Sequence, residues 1–206
     1  MTQPSTNGGT PASSGRTPAQ GNRLDPWYDV YADRAHNLRA SEIRALFSVV
    51  SRPEVVSLAG GMPNLKDLPL DRLAASAEKL IRNHGAQAMQ YGSGQGWEVL
   101  RERITEVMAY DGIIGADPDD VVVTTGSQQA LDLVTELFVN PGDVILAEAP
   151  SYVGALGVFR ARQADIVHVP MDENGIIPEA LVETIRDVRA SGRTIKFIYI
   201  IPNYHN

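Results

Sequence analysis

The sequence predicts an α/β fold, a three-layer α/β/α arrangement around a mainly parallel sheet. Three observations carry this. After Asp117-Pro118, short Val/Ile-rich runs alternate with segments of helical periodicity. The runs are almost continuously apolar, as strands covered on both faces must be. The run at Val121 breaks at Gly126 and passes straight into a helical segment, the connection that parallel strand–helix units use.

Residues 1–22 are mostly Gly, Pro, Ser and Thr with Arg16 as their only charge, so they bury too little to offset ordering and read as part of a disordered tail spanning 1–25. Ser41 can cap a helix with Ile43, Leu46, Phe47 and Val50 on one face, ending before Pro53. Val55-Val56-Ser57-Leu58 reads as a short strand stopping at the Gly60-Gly61-Met62-Pro63 turn. A helix starting near Leu70 turns Leu73, Ala77, Leu80 and Ile81 inward, and another runs through Trp97, Leu100, Ile104 and Val107. Strands follow at Val121–Thr124, Val144–Ala147, Ile166–Val169 and Ile195–Ile201, and helices at Ser127–Val139, Ser151–Ala161 and Pro178–Arg189.

Composition narrows the function. The 206 residues include 25 acidic and 18 basic side chains, a net charge of −7, and no cysteine. That excludes disulfide-stapled modules, cysteine-ligated metal sites and cysteine nucleophiles. An acidic chain without a basic run does not favour nucleic acid or an anionic membrane as main partner. No apolar stretch reaches the roughly 18 residues of a spanning helix, and no secretory signal pattern opens the chain, so a cytoplasmic location is expected.

The strongest local signal is the passage from Val121 through Gly126 to the helix at Ser127. It points the N–H groups of Ser127 and Gln128 outward at the positive end of a helix dipole, beside the Ser127 hydroxyl. This is either an anion cradle or a helix cap with Ser127 as the capping side chain. No dinucleotide or triphosphate loop accompanies it: Gly92-Ser93-Gly94-Gln95-Gly96 lacks a preceding strand and is discounted. The next strand ends at Glu148-Ala149-Pro150-Ser151-Tyr152, which places the Tyr152 ring on the same rim, either against a planar ligand or simply closing the sheet end. The last strand ends at Pro202-Asn203-Tyr204-His205-Asn206, adding amides and a phenol. Together these rim groups describe a pocket for a phosphorylated aromatic ring.

The ordered motifs GGMP (60–63), QYGSGQGWEVLRERI (90–104), TTGSQQALDL (124–133), EAPSYVGAL (148–156) and IPNYHN (201–206) resemble the N-terminal half of the fold type I pyridoxal-phosphate enzymes, class I/II aminotransferases. The likeness is greatest to the branch with 2-aminoadipate, kynurenine and aromatic aminotransferases. It implies that Ser127 and Gln128 hold the phosphate of pyridoxal 5′-phosphate, that Tyr152 stacks on its ring, and that Asn206 bonds its 3′ oxygen. It further implies that Tyr91 reaches the coenzyme of a neighbouring subunit in a homodimer, that Gly61 lies near the substrate α-carboxylate, and that Arg44 binds an acidic substrate side chain. The substrates so implied are an α-amino acid and a 2-oxo acid such as 2-oxoglutarate. Residues 26–70 would form the N-terminal helix and strand of a small domain or substrate lid, and 71–206 the first part of an incomplete large coenzyme-binding domain.

The family also needs a Schiff-base lysine, which acts as base for the α-proton. Only Lys66, Lys79 and Lys196 are present. Ser76-x-x-Lys79 falls on the polar side of its helix and ahead of the cradle, without the Ser-Asp-Asn or Lys-Thr-Gly partners of a serine enzyme, and reads as surface charge. His36, His84, His168 and His205 show neither metal-pair nor triad spacing, and Glu148 and Asp143 read as structural. The expectation is therefore the front portion of an aminotransferase, inactive by itself. The alternatives are the effector domain of a transcription regulator, for which the N-terminal stretch is too short and too weakly charged to be a winged helix, and an inactive fragment.

Overall fold

Val144–Ala149 form strand β1, whose first five side chains are all buried. A strand with both faces covered takes the centre of a sheet. A computed structural model, which describes residues 25–36, 52, 54–56 and 65–205, places it there. The other strands are β2 (Asp165–Asp172), β3 (Gly175–Ile176) and β4 (Ile195–Tyr199), in the order β3-β2-β1-β4. β1 pairs in parallel with β2, Val144 opposite Asp165 through Ala149 opposite Pro170, and with β4, Ile145 opposite Phe197 through Ala147 opposite Tyr199. Only the short β3 runs antiparallel, folding back on β2.

The period-two alternation of β1 sorts its side chains into two cores. Ile145 and Ala147 face one layer, with Ala155, Leu156, Val158 and Phe159 of α5 (Val153–Ala161) and Leu131 of α4 (Ser127–Phe138). Val144 and Leu146 face the other, with Val188, Leu181 and Ile185 of α6 (Pro178–Ala190). Helices on both sides of a mainly parallel sheet make the expected three layers. Each fully buried large side chain, such as Phe159, Ile145 or Val188, contributes roughly 1.5–3 kcal/mol through removal from water.

Among the described residues, three further α-helices precede these: α1 (Asp33–His36), α2 (Leu70–Ala88) and α3 (Glu98–Tyr110). Here two expectations fail. Leu73, Leu80 and Ile81 of α2 are exposed and no α2 side chain is buried, because no described element covers that face. On α3, Leu100 and Val107 are exposed while the one buried residue is Arg101. Arg101 donates to the carbonyl of Pro118 at 2.5 Å and to Asp119 at 2.9 Å, fastening α3 to the turn Pro118–Asp120.

Val121–Thr124 is a third correction. The segment is extended but belongs to no sheet, and Val122 is exposed, because no strand lies beside it among the described residues. What holds it is the discounted GSGQG loop: Val123 N–H donates to the Gln95 carbonyl at 2.7 Å, and Gly96, at φ +105°, lies so close to Val123 that a Cβ would fall 2.5 Å from its methyl. The other helix and strand expectations hold to within a few residues at their ends, except that the helix foreseen from Ser151 starts at Val153. The Ser41 helix, the GGMP turn and nearly all of the 1–25 tail lie outside the described residues; Val55 and Val56 are described and form no strand. No helix among the described residues is long and apolar enough to cross a membrane, and none of their His, Asp and Glu side chains cluster as a metal site.

Candidate functional site

Gly126 caps α4 with φ +78° and ψ +167°, a conformation open essentially only to glycine. No side chain caps this end, so the capping reading of Ser127 is corrected: Ser127 is the first residue of the helix, exposed, with its hydroxyl unused there. Thr125 N–H is taken by the side chain of Gln129 at 2.5 Å and Gln129 N–H by the Gly126 carbonyl at 3.2 Å. Among the described residues the N–H groups of Ser127 and Gln128 meet no such acceptor and face outward at the positive helix end.

A second strand end is brought to this cradle. The Gln128 side-chain amide donates to the Gly154 carbonyl at 3.2 Å. Gly154 in turn lies beneath the Tyr152 ring: a Cβ there would fall 2.4 Å from Cζ and 2.5 Å from the hydroxyl. Only a hydrogen at that position lets the ring lie along the first turn of α5 while one face stays in solvent, and Tyr152 is 45% exposed. Farther along, Arg162 grips Asp132 through two bonds of 2.8 Å and Glu136 through one of 2.9 Å, so α4 and α5 are tied at both ends. The Arg162 bond holds the Asp132 carboxyl below its ordinary range.

Sequence reasoning did not identify Tyr199 as a site residue. It stands edge-on to Phe159, ring centroids 5.4 Å apart, and burial, together with the neighbouring Tyr152 and Glu148, pushes its hydroxyl above the ordinary phenol range. Tyr199 therefore packs on the α5-side core at the carboxyl end of β4. The signal for it was its place one strand over from Ala147, at the end of an apolar run.

The predicted residues thus divide. Ser127, Gln128 and Tyr152 come together at the carboxyl edge of the sheet. Tyr91 is wholly exposed in the loop after α2, beside a cavity of about 650 Å³ lined by Leu80, His84 and Trp97. Arg44, Gly61 and Asn206 lie outside the described residues. Lys196 pairs with Asp143 at 3.3 Å at the opposite, amino edge, Lys66 precedes α2, and Lys79 is exposed on it.

Two outward N–H groups, a hydroxyl, open space where a Gly126 Cβ would stand, and a half-exposed ring suit a phosphate attached to a planar aromatic group. Residues 53–206 match the sequence profile of the family "Aminotransferase class I and II". The chain belongs to this family.

Similar aminotransferases include aromatic-amino-acid aminotransferase 1 of Thermococcus litoralis, 36% identical over 85% of this chain and 42% of its own length. Another is 2-aminoadipate transaminase of Thermus thermophilus, 37% identical over 87% of this chain and 43% of its own. Among solved structures, Pyrococcus horikoshii kynurenine aminotransferase in complex with PMP superposes with a TM-score of 0.80 at 32% identity, over 90% of this chain and 46% of that one. The chain thus spans less than half the length of the aminotransferases it matches. This likeness confirms the α/β fold and the resemblance to the aminoadipate, kynurenine and aromatic branch.

Proposed function

We propose that the protein is a pyridoxal-phosphate-dependent aminotransferase that moves an amino group from an α-amino acid to a 2-oxo acid, 2-oxoglutarate among them. The observation that supports it most is the joining of the Ser127–Gln128 cradle to the Tyr152 ring through Gly154. Ser127 and Gln128 hold the coenzyme phosphate with their N–H groups and the serine hydroxyl. Tyr152 lies against the ring and excludes water from one face. Asn206 meets the ring's 3′ oxygen, Tyr91 serves the neighbouring subunit of a homodimer, and Gly61 and Arg44 face the substrate. When bound, pyridoxal phosphate supplies an electron sink that lets the amino acid α-carbon lose its proton.

None of the three lysines is brought to the Ser127, Gln128 and Tyr152 site, so residues 1–206 by themselves are inactive in amino transfer. The same proposal assigns residues 71–206 to the coenzyme-binding part and 26–70 to the substrate lid, and places the enzyme in the cytoplasm. The relatives named above are called aminotransferases or a transaminase, which favours an enzyme over a regulator's effector domain.

The test is an amino-transfer assay on the protein from its complete reading frame, with a panel of amino acids and 2-oxoglutarate. Turnover that requires pyridoxal phosphate is expected. Coenzyme binding without turnover on any member of the panel would point to the effector-domain reading.

A further inference from the structure

Glu148 is 4% exposed at the carboxyl end of β1, where a carboxylate is costly unless it is paired. Its period-two position puts it on the sheet face that Val144 and Leu146 share with α6. One hydrogen bond reaches it, and a second polar group stands close by. The Ile201 N–H donates to Glu148 Oε1 at 2.5 Å, and His205 Nε2 lies 3.3 Å from the same oxygen.

The location gives these contacts their meaning. Backbone pairing of β1 with β4 stops at Ala147 opposite Tyr199, so the chain leaves the sheet over the next residues. The Glu148 side chain takes over two residues later, accepting the Ile201 amide. The same oxygen is approached by His205 Nε2, and the His205 side chain is only 19% exposed. One buried carboxylate therefore bonds one end of the Ile201–His205 loop and meets the other at the carboxyl end of β1.

Resting on the coenzyme reading above, we propose that Glu148 is a positioning residue: through Ile201 and His205 it latches the loop after β4 at the rim where the coenzyme is held. Glu148 touches no coenzyme or substrate itself. Glutamine keeps the acceptor for the Ile201 amide and loses only the charge facing His205, whereas alanine removes both.

The experiment measures amide hydrogen exchange of the peptide spanning 199–205 and equilibrium affinity for pyridoxal phosphate. It uses the protein from its complete reading frame, as wild type, Glu148→Gln, Glu148→Ala and His205→Gln. Glu148→Ala is expected to speed exchange in that peptide about tenfold or more, as loss of a hydrogen bond to a charged group implies, and to weaken coenzyme binding by a similar factor. Glu148→Gln restores most of the protection and of the affinity, and His205→Gln falls between. Unchanged exchange in Glu148→Ala, or acceleration spread evenly over β1 and β2, overturns the latch, the second because it reports general unfolding. Faster exchange with unchanged affinity overturns the link to the coenzyme. A wild type that takes no pyridoxal phosphate overturns both that link and the reading of the site, while the exchange measurements, which need no coenzyme, still decide whether the latch exists.

Discussion

The side-chain amide of Gln128 donates to the main-chain carbonyl of Gly154 at 3.2 Å, so the first turn of α4 and the first turn of α5 are one unit. Removing the bond with Gln128→Ala costs less than about 1 kcal/mol of stability, because the pair is exposed. Coenzyme affinity falls more than stability does, since the two halves of the cradle then move separately. Urea denaturation beside a pyridoxal-phosphate titration measures both.

Gly154→Ala separates folding from binding further. The added Cβ would stand within 2.6 Å of two Tyr152 ring carbons and the hydroxyl oxygen, and the half-exposed ring swings out to make room. The expected stability change is below about 1 kcal/mol, as for a surface substitution. The ring no longer lies where a planar ligand can stack, so pyridoxal-phosphate affinity drops by about tenfold, the scale of a lost aromatic contact of roughly 1 kcal/mol or more. Tyrosine fluorescence and a binding isotherm follow the two effects.

Gly126→Ala acts through the backbone alone. Nothing lies within 4 Å of the position its Cβ would take, yet φ is +78° with ψ +167°. A non-glycine residue there costs about 1–3 kcal/mol. Thermal unfolding reads the loss, and the crystal structure of the variant shows α4 starting at a different residue if the strain is relieved.

Much of this arrangement was legible in the sequence after Asp117, because β1, β2, β4 and their helices carry apolar runs long enough to declare their period. Val121–Thr124 carries such a run too and still forms no strand, since a strand is a property of a pair and the composition of one segment is silent about its neighbour. The apolar stripes of α2 and α3 failed for the same reason: periodicity tells which face would be buried, and a covering partner decides whether it is. Arg101 was the readable exception. It interrupts the stripe of Trp97, Leu100 and Ile104, and a charge on that stripe implies a polar anchor, found in Pro118 and Asp119. Glu148 likewise closes an otherwise apolar run, and its burial followed from that place. The two-residue β3 was too short to give any periodic signal.

The Arg162 pairs carry a pH signature. The folded state holds the Asp132 carboxyl below its ordinary value of 3.8 through the Arg162 bond. A depressed carboxylate contributes stability that is full above the unfolded value and is lost as pH falls through the folded one. Arg162→Ala therefore lowers stability at pH 7, only modestly because the side chains are partly exposed, and the difference from wild type shrinks as pH falls below the ordinary carboxylate value. Denaturant midpoints at pH 7 and pH 3 check the sign, and 1 M salt lowers the pH 7 difference.

The central claim is that Ser127, Gln128 and Tyr152 form one site for a phosphorylated pyridine ring. Equilibrium binding of pyridoxal phosphate to wild type, Ser127→Ala and Tyr152→Ala, with inorganic phosphate as competitor, tests it most directly. The account predicts saturable binding to one site per chain, about tenfold weaker in Tyr152→Ala, weaker again in Ser127→Ala, and relieved by phosphate. Binding that is absent, or equally tight in all three proteins, would contradict it.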